Sequence, residues 1–115
     1  MKTEKVVIIL SCILLFSASA IAAEQDMVRI QGKIMELDLK RNKIVVNEKV
    51  FFWDANTLFF DENASPIKLD KFKTDTWVYI EGVRGGNIRQ ITIKKIYRLP
   101  RYIERDESDL YPFIH

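Results

Sequence analysis

From Val28 onward apolar residues recur at every second position, and no stretch of ten residues carries a helical stripe, so the chain reads as β-strands. Val28, Ile30, Gly32 and Ile34 share one parity, whereas Leu37 and Leu39 fall on the other. That change predicts a bulge between Ile34 and Leu37 and a long, bent first strand. Lys40-Arg41-Asn42 turns the chain into Ile44-Val45-Val46, and Asn47-Glu48-Lys49 turns it again into Val50-Phe51-Phe52-Trp53, a compact hairpin. Thr57 to Phe60 predicts a short strand, and Asp61 to Pro66 a loop, because proline has no N–H to give to a ladder. Ile67 to Phe72, with Leu69 and Phe72 three apart, suits one helical turn that plugs the end of a barrel. Thr76 to Val83 is the strongest strand; Arg84-Gly85-Gly86-Asn87 turns it into a return strand over Ile88 to Tyr97. The pattern predicts an all-β fold, a small barrel of five or six strands with one short helical turn.

The first 23 residues have a different character. Lys2 and Lys5 precede an apolar run from Val6 to Phe16, and small residues follow from Ser17 to Ala23, the layout of a secretory signal peptide cleaved after Ala22 or Ala23. The alternative is an uncleaved anchor over Val6 to Ala23, and contact with a membrane is expected only through that segment if it is retained. The expected location is the periplasm of a bacterium, or outside the cell. Cleavage would remove Cys12, the chain's one cysteine, and with it disulfides, thiolate metal sites and a cysteine nucleophile. The domains expected are the signal peptide over 1–23, the barrel over 24–98 and an extension over 99–115.

In that extension Pro100 and Pro112 flank an acidic run from Glu104 to Asp109, yet Leu99, Tyr102, Ile103, Leu110, Tyr111, Phe113 and Ile114 make it too apolar for a disordered tail. It is expected to dock on the barrel or on a partner. The formal net charge of +2 for the whole chain implies no class of ligand.

A glycine at 32 two residues before Ile34, an I-V-V hairpin into V-F-F-W-D, a threonine at 57, a one-turn segment, then W-V-Y-I-E-G and R-Q-I-T-I follow in order. This order resembles a family of small exported bacterial domains of unknown function with an OB-like barrel, over Val28 to about Tyr97. The resemblance implies that fold and brings no catalytic residues. The chain departs from the family pattern at Thr74 and Asp75, where a turn glycine is expected, and in its extra C-terminal segment.

Catalytic material is sparse. His115 is the one histidine, and beyond residue 23 the serines are Ser65 and Ser108, too little for a Ser-His-acid arrangement. The carboxylates are spread along strands and turns instead of clustered as zinc or calcium sites require, so no metal, no cofactor and no enzymatic activity are expected. Aromatic residues offer more. Trp77 and Tyr79 alternate with Val78 and Ile80, and Phe51 and Trp53 with Val50 and Phe52, so two strands are apolar on both faces. The expected binding surface is an outer face near Phe51, Trp53, Trp77 and Tyr79, with Arg84 and Arg89 at its rim. Tyr102, Ile103, Tyr111 and Phe113 of the extension are the favoured cover for it.

The function these residues imply is a non-enzymatic exported binding or assembly module that contacts a protein or an envelope component. The alternative is a glycan or anionic-lipid binder that uses the same aromatics with Lys94, Lys95 and Arg98. Stacked aromatics on an OB-like barrel also suit single-stranded nucleic acid, but export argues against that partner.

Overall fold

The structure is a computed structural model that describes residues 26–85 and 90–114. The proposed signal peptide, Arg89, Gly86, Asn87 and His115 lie outside the described residues. Six strands follow in order: β1 (Asp26–Asp38), β2 (Lys43–Val46), β3 (Lys49–Phe52), β4 (Leu58–Phe60), β5 (Trp77–Arg84) and β6 (Ile91–Leu99). A 3-10 turn over Leu69–Lys71 lies between β4 and β5, and a second 3-10 stretch over Arg105–Leu110 follows β6.

Hydrogen bonding orders the sheet β3-β2-β1-β5-β6-β4, and a further β3–β6 pairing closes five of the strands into a ring. β1 makes this closure possible. Its first half pairs with β5, from Asp26 opposite Arg84 to Lys33 opposite Trp77, and its second half pairs with β2. The change of partner falls at Met35, an extra residue between Ile34 opposite Val46 and Glu36 opposite Val45. The bulge inverts the inward parity from Ile34 to Leu37, as the pattern of apolar residues required, and lets one strand serve both halves of the barrel. β3 runs parallel to β6 through Phe51 opposite Ile91 and Phe52 opposite Thr92. A ring of five strands with a long shared first strand is an OB-like barrel; β4 adds a short parallel strand beyond it, along β6.

Backbone conformation explains two of the turns. Asn47 and Glu48 both have positive φ, 50° and 64°, which is the type I′ geometry that a two-residue hairpin needs to match strand twist. Asp75, where the family resemblance leads one to expect glycine, has a φ of 72° and donates its N–H to the Ile34 carbonyl at 2.8 Å. An aspartate there performs the turn, at a steric cost that glycine would not carry.

Ile34, Ile44, Val46, Phe51, Val78, Ile80, Ile93 and Ile96 fill the barrel, with Phe72 closing it from the end of the 3-10 turn. Thr57 is the polar member of this interior. Its hydroxyl donates to the Ile93 carbonyl at 2.6 Å and accepts the Asp54 N–H at 3.0 Å, so it seals a gap in the ladder beside β6. β6 itself contains a bulge: Glu81 lies opposite Lys95 and Gly82 opposite Ile93, which leaves Lys94 as the extra residue. Ile93 and Ile96 can then both point inward while Tyr97 and Leu99 point outward.

Candidate functional site: the outer aromatic face and its cover

The expected site residues divide into those the fold brings together and those it separates. Phe51 is completely buried and Trp53 is 9% exposed, and both belong to the barrel interior. Their assignment to the outer face is corrected by register. The two-residue turn at Asn47-Glu48 puts Phe51 opposite Ile44, and closure puts it opposite Ile91, both inward residues. On β3 the residues that turn away from the core are Val50 and Phe52. Arg84 is separated as well. It ends β5 five residues from Tyr79, about 17 Å along an extended strand, and borders a shallow groove with Glu48, Lys49, Val50 and Ile91.

Trp77 and Tyr79 lie on the face opposite Val78 and Ile80, where a second hydrophobic cluster is built around them. Register supplies its rows. Lys33, Trp77 and Leu99 form one row, and Gln31, Tyr79, Tyr97 and Phe60 the next. Then follow Arg29, Glu81 and Lys95, a charged row that marks where the apolar strip ends.

The extension after β6 covers this strip. Phe113 lies flat on Tyr97, with ring centroids 3.9 Å apart and planes 2° from parallel. Phe60 also stacks on Tyr97, at 4.9 Å and 22°. Two rings cannot stack on one face of a third, so Tyr97 is sandwiched between them. Phe113 also touches Tyr79 and Tyr111, both near 6 Å. Ile103 is 3% exposed in the same cluster, and Tyr102 meets the edge of Trp77 at 5.8 Å.

One polar contact fixes the register of the extension. The Gln31 side chain donates an N–H to the Ile103 carbonyl at 3.2 Å, and its carbonyl oxygen accepts the Ile103 N–H. An amide that answers both backbone groups of one residue acts as a substitute strand, and it satisfies two groups that would otherwise be left unpaired as the segment docks. Within the extension Arg101 pairs with Glu107, across the start of the 3-10 stretch.

Electrostatics at the strip are mild. The Tyr97 phenol is held above its ordinary pKa of 10.0, first by burial, then by the charge of Glu81 and by Tyr79. Trp77 is partly exposed, and the Lys33 ammonium sits 5.4 Å from its ring centroid, within cation–π range. The cations expected to serve a glycan or lipid are dispersed: Arg98 pairs with Glu62 at 3.9 Å, Lys95 belongs to the charged row, and Lys94 is the bulge residue. Among the described residues no three His, Cys, Asp or Glu side chains are grouped as a metal site.

Phe60, Gln31, Tyr97 and Leu99 are the members of the strip that sequence reasoning missed. A signal for the last two existed: Ile93 and Ile96 are three apart, and two inward residues at that spacing require an extra residue between them. Gln31 offered none, because its role depends on a segment 72 residues away.

No protein-family model and no curated protein matches this chain. Solved structures do match in fold. The fimbrial biogenesis protein PilY2 from Pseudomonas aeruginosa is 17% identical, with a TM-score of 0.52 over 76% of this chain and 94% of that one. Silver-bound CusF from Escherichia coli is 20% identical, with a TM-score of 0.48 over 65% of this chain and 94% of CusF. At these identities the likeness concerns the fold alone.

Proposed function

We propose that the chain is an exported, non-enzymatic binding or assembly module whose contact surface is the outer aromatic face of β1, β5 and β6. The observation that carries this reading is a sheet apolar on both faces: one face fills the barrel, and the other carries Trp77, Tyr79, Tyr97 and Phe60, with Tyr79 and Tyr97 buried beneath the chain's own extension and Trp77 left partly exposed. Aromatic side chains in this number on the outward face suit contact with a polypeptide segment, and the chain's own extension is one such segment held there. A fold shared with a fimbrial biogenesis protein is compatible with an assembly role and does not carry it. Dispersal of Lys94, Lys95 and Arg98 is the reason for preferring a protein partner to an anionic lipid or a glycan.

The test has two parts. N-terminal sequencing of the exported chain should begin at Ala23 or Glu24. A photo-cross-linker at Lys33, beside Trp77, should capture an envelope protein in living cells, and Trp77→Ala should reduce that capture. Retention of the full-length chain in the cytosol, or cross-linking indifferent to Trp77→Ala, would count against the reading.

A further inference from the structure

The extension is held on the aromatic strip much as a peptide ligand is held by a receptor. Two stretches of it make the contact, both on the same outer cluster. Tyr102 and Ile103 dock against Trp77 and the Gln31 amide, and Tyr111, Phe113 and Ile114 dock against Tyr79 and Tyr97. Between the anchors runs the 3-10 stretch Arg105–Leu110, which has no buried residue and leaves Leu110 74% exposed. A depression of about 530 Å³ opens beneath the segment, bounded by Gln31, Tyr102, Ile103, Ser108 and Ile114. Close packing is thus confined to the two ends.

Two further observations bear on displacement. Of residues 100–114 Ile103 alone is buried, and it packs on the outward face of the sheet, away from the barrel interior, so the segment is expected to lift before the barrel opens. Charge is complementary: residues 26–99 hold 14 Lys plus Arg and 10 Asp plus Glu, whereas 100–115 hold two and four. The barrel is therefore net positive and its cover net negative.

We propose that the strip formed by Gln31, Trp77, Tyr79 and Tyr97 is a receptor for a short acidic peptide segment that ends in two aromatic residues flanking a proline. The chain's own residues 100–114 occupy it as a resident ligand, and a segment of the same chemistry from another polypeptide binds by displacing them. This rests on the contact surface proposed above and adds the kind of partner. The Gln31 amide reads backbone, the sandwich around Tyr97 reads a ring in the place of Phe113, and the basic barrel favours acids between the anchors. A second copy of this chain is the weaker occupant, because exchanging identical extensions gains no new contact and loses the entropy of association.

The experiment uses the full chain and a fluorescein-labelled synthetic peptide with the sequence of residues 100–114, followed by fluorescence anisotropy. Wild-type protein should bind the peptide weakly, because its own extension competes at an effective concentration on the order of millimolar. The Phe113→Ala protein, with its cover loosened, should bind at least tenfold more tightly. That gain should vanish when Tyr97→Ala is added, or when the peptide carries the same Phe113→Ala change. Gln31→Ala loosens the cover from the receptor side; it should raise the exchange rate of the Tyr111 and Ile114 amides while β5 and β6 stay protected. A folded Phe113→Ala protein that binds no more tightly than wild type would overturn the proposal. So would extension amides that exchange only together with β5 and β6, or variants that fail to fold, since either makes the extension part of the fold. A concentration-dependent dimer in light scattering would overturn it in favour of exchange between copies. If the peptide fails while Trp77→Ala still reduces cross-linking in cells, the contact surface stands and only the peptide chemistry falls.

Discussion

Replacing Gln31 by glutamate tests the cover by changing few atoms. The native amide donates to the Ile103 carbonyl and accepts from the Ile103 N–H. A carboxylate keeps the acceptor, loses the donor, and sets a negative oxygen against a carbonyl. A net hydrogen bond contributes about 0.5–1.5 kcal/mol, and leaving a partly buried carbonyl unsatisfied costs about 1–3 kcal/mol. Since this site is only partly buried, a loss of about 1.5–2 kcal/mol in docking is expected, roughly a ten- to thirtyfold rise in the undocked population. The sign with pH is opposite to that of a salt-bridged acid. Docking requires the protonated carboxyl, so the docked state raises its pKa, and the interaction is present below the free value near 4.3 and lost as pH rises through the docked one. Acrylamide quenching reads the result, because Trp77 lies under Tyr102 while Trp53 is inside the barrel. Quenching of Gln31→Glu should exceed wild type at pH 7 and converge with it near pH 4. Equal quenching at pH 7 would show that the amide does not hold the extension.

Other expectations follow from single contacts. Thr57→Val keeps the shape but strands the Ile93 carbonyl and the Asp54 N–H, so urea denaturation should show a loss of about 2–3 kcal/mol; Thr57→Ser should recover most of it. Gly82→Ala would place a methyl 2.8 Å from Ile91 Cγ2 and 3.0 Å from the Thr92 carbonyl oxygen, and because the latter is backbone, a loss of about 1–3 kcal/mol is expected in the same assay. Tyr97→Phe should alter the alkaline limb of stability. The wild-type phenol is pushed above 10.0, so the folded state holds its proton longer than the unfolded chain, and stability falls as pH rises past 10.0. The difference in urea midpoint between wild type and Tyr97→Phe should be flat below about pH 9 and change above pH 10; a parallel pair of curves would show that Tyr97 is not buried.

The fold was largely legible because period-two alternation fixes strand faces, and because breaks in it, as between Ile34 and Leu37, mark bulges. The I′ turn at Asn47-Glu48 was legible as a turn, but its consequence for Phe51 and Trp53 was not. Both parities of Val50-Phe51-Phe52-Trp53 are apolar, so the pattern cannot tell inward from outward. Only the partners across the ladder, Ile44 and Ile91, decide it. Trp77 and Tyr79 were placed on the outer face because Val78, Ile80 and Gly82 formed an unambiguous alternative. Glu48 at positive φ was not foreseeable, since glutamate gives no signal for the left-handed region.

The central claim is that Tyr97 is an outward ring covered by Phe113 on a closed barrel. Proton NMR of the full chain tests it most directly, through nuclear Overhauser contacts between those two rings. Cross-peaks between Tyr97 and Phe113, with ring protons shifted upfield by stacking, are predicted, together with contacts from Phe113 to Tyr79. Random-coil shifts for Phe113, or Overhauser contacts from Tyr97 to Ile34 and Ile44 inside the barrel, would contradict the account.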